Sequence, residues 1–119
     1  MRKAWMCLSA LALLSPVNVL AADEAQLEKG KQVYEYWCWN CHGDGAGKPG
    51  TQALAAKYKG SKPAILDRRT DLPPALTKYF VRNGVSIMPF FRKTEVTGAD
   101  LDALAAYLAR LIPEAGTAR

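Results

Sequence analysis

The run Cys38-Trp39-Asn40-Cys41-His42 brings together two thiols and an imidazole within five residues. On a helical turn, residues three and four apart share a face. Both thiols can therefore reach the edge of one flat macrocycle, while the imidazole points a ring nitrogen at its centre from the same side. This spacing is the signature for covalent haem attachment, with the two cysteines forming thioethers to the vinyl groups. Three other chemistries use the same residue types. A zinc site needs a fourth ligand, and no other Cys or His stands after residue 22. A thioredoxin-like redox pair needs a βαβ surround, for which there is no pattern. A disulfide accounts for the two cysteines but leaves His42 without a role.

An iron held by His42 offers a second axial position. His42 is the only histidine in the chain, which excludes a bis-imidazole iron. Of the three methionines, Met1 and Met6 stand at the N-terminus in a segment read below as a leader, so Met88 is the thioether available. Pro89 pushes Met88 toward extended backbone, which suits a ligand loop and not a helix. A His/Met pair raises the reduction potential by favouring ferrous iron, and it closes both faces to small ligands. The other readings of Met88 are an adaptable core filler, with a lysine ligand or an open iron site in its place.

These residues need elements to position them. Arg2 and Lys3, the apolar stretch Ala4 to Leu14, and small residues at Ala21 and Ala22 read as a secretory signal peptide over residues 1–22, cut after Ala21 or Ala22. The apolar stretch is shorter than the ~20 residues of a bilayer span, so no membrane anchor is expected in the mature chain, residues 23–119, and the expected location is the periplasm. Cys7 leaves with the leader. A mature domain of this size is marginal unless a large rigid cofactor adds apolar area to its core.

Sixteen basic residues face eleven acidic ones, and two of the bases lie in the leader, leaving a mature charge of about +3. The bases do not form a dense run with interleaved aromatics, so nucleic acid is not an expected partner. The looser group Lys57, Lys59, Lys62, Arg68 and Arg69 reads as a solvated face that can also meet an acidic protein surface.

Helical spacing runs from about Ala25 to Cys38 through Leu27, Val33, Tyr34 and Trp37. Gly43 to Gly50 is a loop. A short helix is expected from Thr51 to Lys57, and irregular chain from Lys59 to Arg69. Another helix spans Pro73 or Pro74 to Arg82, with Asp71 as candidate N-cap and Asn83-Gly84 as its stop. Val85 to Lys93 is a loop centred on Met88-Pro89. Thr97-x-x-Asp100 reads as a capping box before a last helix with Leu101, Leu104, Ala105, Leu108 and Ile112 on one face. No strand pattern appears. The expected fold class is all-α, one domain.

Taken together, these residues resemble class I cytochromes c over nearly the whole mature chain. The resemblance implies three to five helices wrapped around one covalently bound haem c. Cys38 and Cys41 would carry the thioethers, and His42 and Met88 would be the axial ligands. In that family a glycine and an aromatic on the first helix pack against a leucine and an aromatic on the last; Gly30 and Tyr34 stand two turns and one turn before Cys38, and Leu104 and Tyr107 lie on the last helix. The family also places a proline carbonyl on the proximal histidine, a role for which Pro49 is the candidate.

A narrower resemblance lies in Leu72-Pro73, Val81-Arg82-Asn83-Gly84, Met88-Pro89 and Phe91. It is to the cytochrome subunit of p-cresol methylhydroxylase and eugenol hydroxylase. This implies an FAD-containing dehydrogenase subunit as redox partner, acting on a 4-alkylphenol. The alternatives are a freely diffusing carrier to a terminal oxidase or reductase, and an open-site haem enzyme or gas sensor. Phe80, Ile87, Phe90 and Phe91 are expected as an apolar rim or as pocket core. Of Trp37 and Trp39, one is expected to pack inward. Arg92 and Lys93 are candidates to hold a haem carboxylate or to steer a partner.

Overall fold

The computed structural model describes residues 19–113. The expected leader lies outside the described residues apart from Val19 to Ala22, which open the first helix. The described chain is helical: α1 (Val19–Trp37), α2 (Trp39–His42), α3 (Pro49–Tyr58), a 3-10 turn over Leu66–Arg68, α4 (Pro74–Asn83) and α5 (Gly98–Ala109). No strand occurs among the described residues, and the one ladder contact is an isolated antiparallel bridge between Val85 and Met88. The expected all-α class is observed.

The core lies where α1 crosses α5. Val33 and Tyr34 of α1 meet Leu101, Leu104, Tyr107 and Leu108 of α5, with Leu72, Val81 and Val96 closing the sides. Burying a leucine such as Leu104 contributes about 1.5–3 kcal/mol. Gly30 permits the crossing. A Cβ at this position would run into the carbonyl oxygen of Ala103 and the Cβ of Tyr107. With no side chain between the axes, the Tyr34 and Tyr107 rings come to 5.8 Å, the packing that the resemblance implied.

The caps differ from expectation at one helix and agree at another. Thr97 Oγ1 accepts from the Asp100 N–H at 3.1 Å and donates to the Asp100 carboxylate at 2.8 Å, which caps α5. Asp71 does not cap α4. Pro73 holds that position with no side-chain bond, because the Asp71 carboxylate is taken by Arg69 and Lys62. α3 starts at Pro49, two residues earlier than expected, since proline's missing N–H costs nothing in a first turn. Within the segment expected to be irregular, Leu66–Arg68 forms a 3-10 turn. No helix among the described residues is long and apolar enough to cross a membrane.

Candidate haem cleft

α1 ends as the Cys38 N–H bonds the Tyr34 carbonyl at 2.9 Å. The chain then turns at once into α2, where Cys41 and His42 N–H groups both reach back to the Cys38 carbonyl. The motif is thus wound on a single turn, as its spacing requires. Tyr34 Oη donates to the His42 carbonyl at 3.1 Å and fixes this turn to the first helix. Burial above all pushes the Tyr34 phenol up from its ordinary value.

Cys38 and Cys41 are not bonded to each other. Cys38 is half-buried and Cys41 exposed; burial pushes the Cys38 thiol up to about 12. Burial also pushes His42 below its ordinary value, so the ring is a neutral imidazole at pH 7. Its Nδ1 is buried with no hydrogen-bond partner. The carbonyl bond expected from Pro49 is therefore not made. Pro49 is the first residue of α3, where a carbonyl points down the helix axis into the intrahelical ladder. Its neighbour Gly50 is the residue against the ring: a Cβ there would lie 2.6 Å from His42 Cε1.

Met88 arrives by a tight turn. Its N–H bonds the Val85 carbonyl at 2.9 Å, and its carbonyl accepts from Val85 N–H at 3.1 Å. Ser86 at φ 53° and Gly84 at φ 69° make the reversal, and a Cβ on Gly84 would lie 2.6 Å from the Met88 oxygen. Arg82 clasps the outgoing chain, donating to the Phe91 carbonyl at 3.0 Å and the Val96 carbonyl at 2.8 Å.

One cleft collects Cys38 and His42 with Met88, and holds about 850 Å³ of atom-free space including its mouth. α3 adds Leu54 and Tyr58, α4 adds Leu76, Phe80 and Val81, and α5 adds Leu104 and Leu108. Leu66 and Leu72 come from the segment between α3 and α4. The Cys38 thiol, an imidazole nitrogen, a thioether sulfur and mainly apolar walls, with the exposed Cys41 one turn on and outside the cleft lining, are the donor set that a haem needs, and the residues present fit it.

The sequence did not point to Arg69, Lys57, Tyr58 and Thr77 as cleft residues. Arg69 is 3% exposed. It donates Nε and Nη2 to the two oxygens of Asp71 at 2.6 and 2.9 Å, and its guanidinium carbon stands 4.6 Å from the Tyr58 ring centre. The Arg69 hydrogen bonds, and then those of Lys62, hold the Asp71 carboxyl well below the usual carboxylate range. The basic group expected to be a solvated face is thus partly internal: Arg69 is buried, Lys62 shares Asp71, and Arg68 pairs with Asp44.

Arg92 and Lys93 do not line the cleft, and Arg92 is bound to Glu95. The aromatic residues divide. Phe80 lines the cleft, Phe91 packs on Trp37 with ring centres 5.8 Å apart, and Ile87 and Phe90 are 77% and 61% exposed. Trp39 is covered on one face by Lys48, 3.3 Å from its ring centre.

The family model described as cytochrome C oxidase, cbb3-type, subunit III matches residues 25–108. No curated protein matches the chain. No solved structure matches it either. The matched span runs from the start of the first amphipathic face to Leu108 and encloses every residue of the cleft. The chain belongs to this family, and it is a class I c-type cytochrome, a haem-binding electron carrier.

Proposed function

We propose that the chain is an exported, periplasmic one-electron carrier with a single haem c. Cys38 and Cys41 would hold the haem as thioethers, with His42 and Met88 as its axial ligands. The observation that carries this reading is the convergence of Cys38 and His42, from the α1–α2 turn, with Met88, from the loop after α4, on one apolar cleft. Bound there, haem supplies a ferric/ferrous couple.

The protein's part is positioning and exclusion. The α1–α2 turn sets the spacing of the two thiols and the imidazole. The Arg82 clasp keeps the Met88 turn in place, and the leucines of α3, α4 and α5 keep water from the iron position. An apolar environment and a neutral thioether both favour the less charged, reduced state.

The partner is proposed to be an FAD-dependent dehydrogenase of the alkylphenol type, with this chain as its cytochrome subunit or dedicated acceptor. The stretch Leu72 to Phe91 supports this by its resemblance to such subunits. The exposed side chains of Ile87 and Phe90, beside the Met88 turn, offer an apolar contact where electrons would pass. A second reading is a freely diffusing carrier that delivers electrons to a terminal oxidase or reductase.

An absorption spectrum of the native protein, purified gently from periplasm at low salt, separates the two. Flavin co-eluting with c-type haem in fixed ratio supports the subunit. Haem protein eluting alone overturns it in favour of the diffusing carrier.

A further inference from the structure

Besides the His42 ring nitrogen, the cleft contains a second polar group that the fold leaves unused. Thr77, in the first half of α4, is 7% exposed and lines the cleft. Its Oγ1 is buried with no hydrogen-bond partner. A helical threonine hydroxyl ordinarily donates to the carbonyl four residues back. Here that carbonyl belongs to Pro73, and it already accepts from Leu76 N–H at 2.9 Å and from Thr77 N–H at 3.3 Å. With both lone pairs engaged, the usual acceptor is not available. A buried hydroxyl without a partner carries an uncompensated desolvation cost, so the position calls for a ligand atom.

The other polar groups of the cleft narrow the choice. Arg69 and Lys57 are donors only. Asp71, the carboxylate near them, does not line the cleft and is engaged by Arg69 and Lys62. Met88 Sδ is a weak acceptor. An apolar cleft that presents a buried guanidinium and an idle hydroxyl is built for a flat apolar body that carries an anionic acceptor. Haem has that form, with two carboxylates on its rim.

We infer that Thr77 is a positioning residue whose Oγ1–H donates to a haem carboxylate inside the cleft, with Arg69 as the countercharge. The inference rests on the haem reading above. The hydroxyl then stabilises the carboxylate charge and weakens its pull on the iron. Without it, the carboxylate favours ferric iron more strongly and the potential falls.

The test compares Thr77→Val, which keeps the shape and removes the hydroxyl, with Thr77→Ser, which keeps the hydroxyl, both as holoprotein. The ferrous-minus-ferric infrared difference spectrum reads the carboxylate stretch directly, and a redox titration reads the potential. Valine is expected to shift the carboxylate band and to lower the ferrous/ferric equilibrium by about three- to tenfold, the upper end being about 59 mV for one electron. Serine is expected to restore both. If valine prevents maturation, Thr77→Ala takes its place.

Unchanged band and potential in the hydroxyl-free variant overturn the inference. So does a change confined to the thioether–iron absorption, which would assign the hydroxyl to Met88. Failure of the haem reading is seen separately and first, as wild-type protein without covalently attached haem.

Discussion

Met88 reaches the cleft from a turn held at both ends, by the Val85 bridge on one side and by the Arg82 clasp on the other. Removing its side chain should therefore leave the surrounding backbone in place. Met88→Ala is expected to retain covalent haem, since the proposed thioethers would form at Cys38 and Cys41, in the α1–α2 turn. Its potential should fall by on the order of 0.1 V, within the ~0.8 V range that axial ligands command. It should also take up added carbon monoxide in the ferrous form, as an open face allows. A variant with the wild-type potential that refuses carbon monoxide would remove Met88 from the iron.

At this scale the sequence was most readable where one residue type occurred once. The single histidine and the single methionine after residue 22 left few choices. Arg69 and Thr77 were hidden for the opposite reason. Arg69 sits in a stretch with no period, and Thr77 lies between a leucine and a lysine on a helix whose inward face only packing decides. Pro49 was legible as a neighbour of the His42 ring, but it is Gly50 whose backbone lies against that ring, a placement that depends on where α3 begins.

Among the helices, the contact of α1 with α5 depends on one absent side chain. Gly30→Val is expected to destabilise the fold by about 1–3 kcal/mol, in the manner of overpacked cores. The measurement is the denaturant midpoint of the holoprotein, with the haem spectrum under native conditions as control. An unchanged midpoint would mean that the two axes separate at no cost, contrary to the overlap with Ala103 and Tyr107.

The helices themselves were legible because α1, α4 and α5 follow a 3.6-residue apolar period, and Thr97 and Asp100 mark a start by their own hydrogen bonds. Asp71 resembled a cap in the same way, yet a nearby buried guanidinium competes for a carboxylate more strongly than a helix N-terminus does. The charges of Lys62 and Arg69 are visible in the sequence; their convergence on one carboxylate is a property of the fold.

For the molecule as a whole, acid stability follows from that convergence. The folded carboxyl of Asp71 titrates below its unfolded value. Its contribution is therefore full above the unfolded value of about 4 and is lost as pH falls toward the depressed native one. Asp71→Asn should lower the urea midpoint at pH 7, and its gap from wild type should narrow steadily on acidification below about pH 4. A gap that stays constant through that range would assign the loss to packing and not to charge. The exposed pairs, such as Lys78–Asp102 at 2.5 Å, contribute little by comparison.

The crossing of the first helix with the last also has a bearing on time. A chain emerging from its N-terminus presents Cys38 and Cys41 early, but Gly30 and Tyr34 gain their partners only when Ala103 and Tyr107 have followed. Contacts so distant in sequence are slow to close. For that interval the nascent protein is open with both thiols within reach, so the attachment of haem proposed above would take place before the core shuts over it.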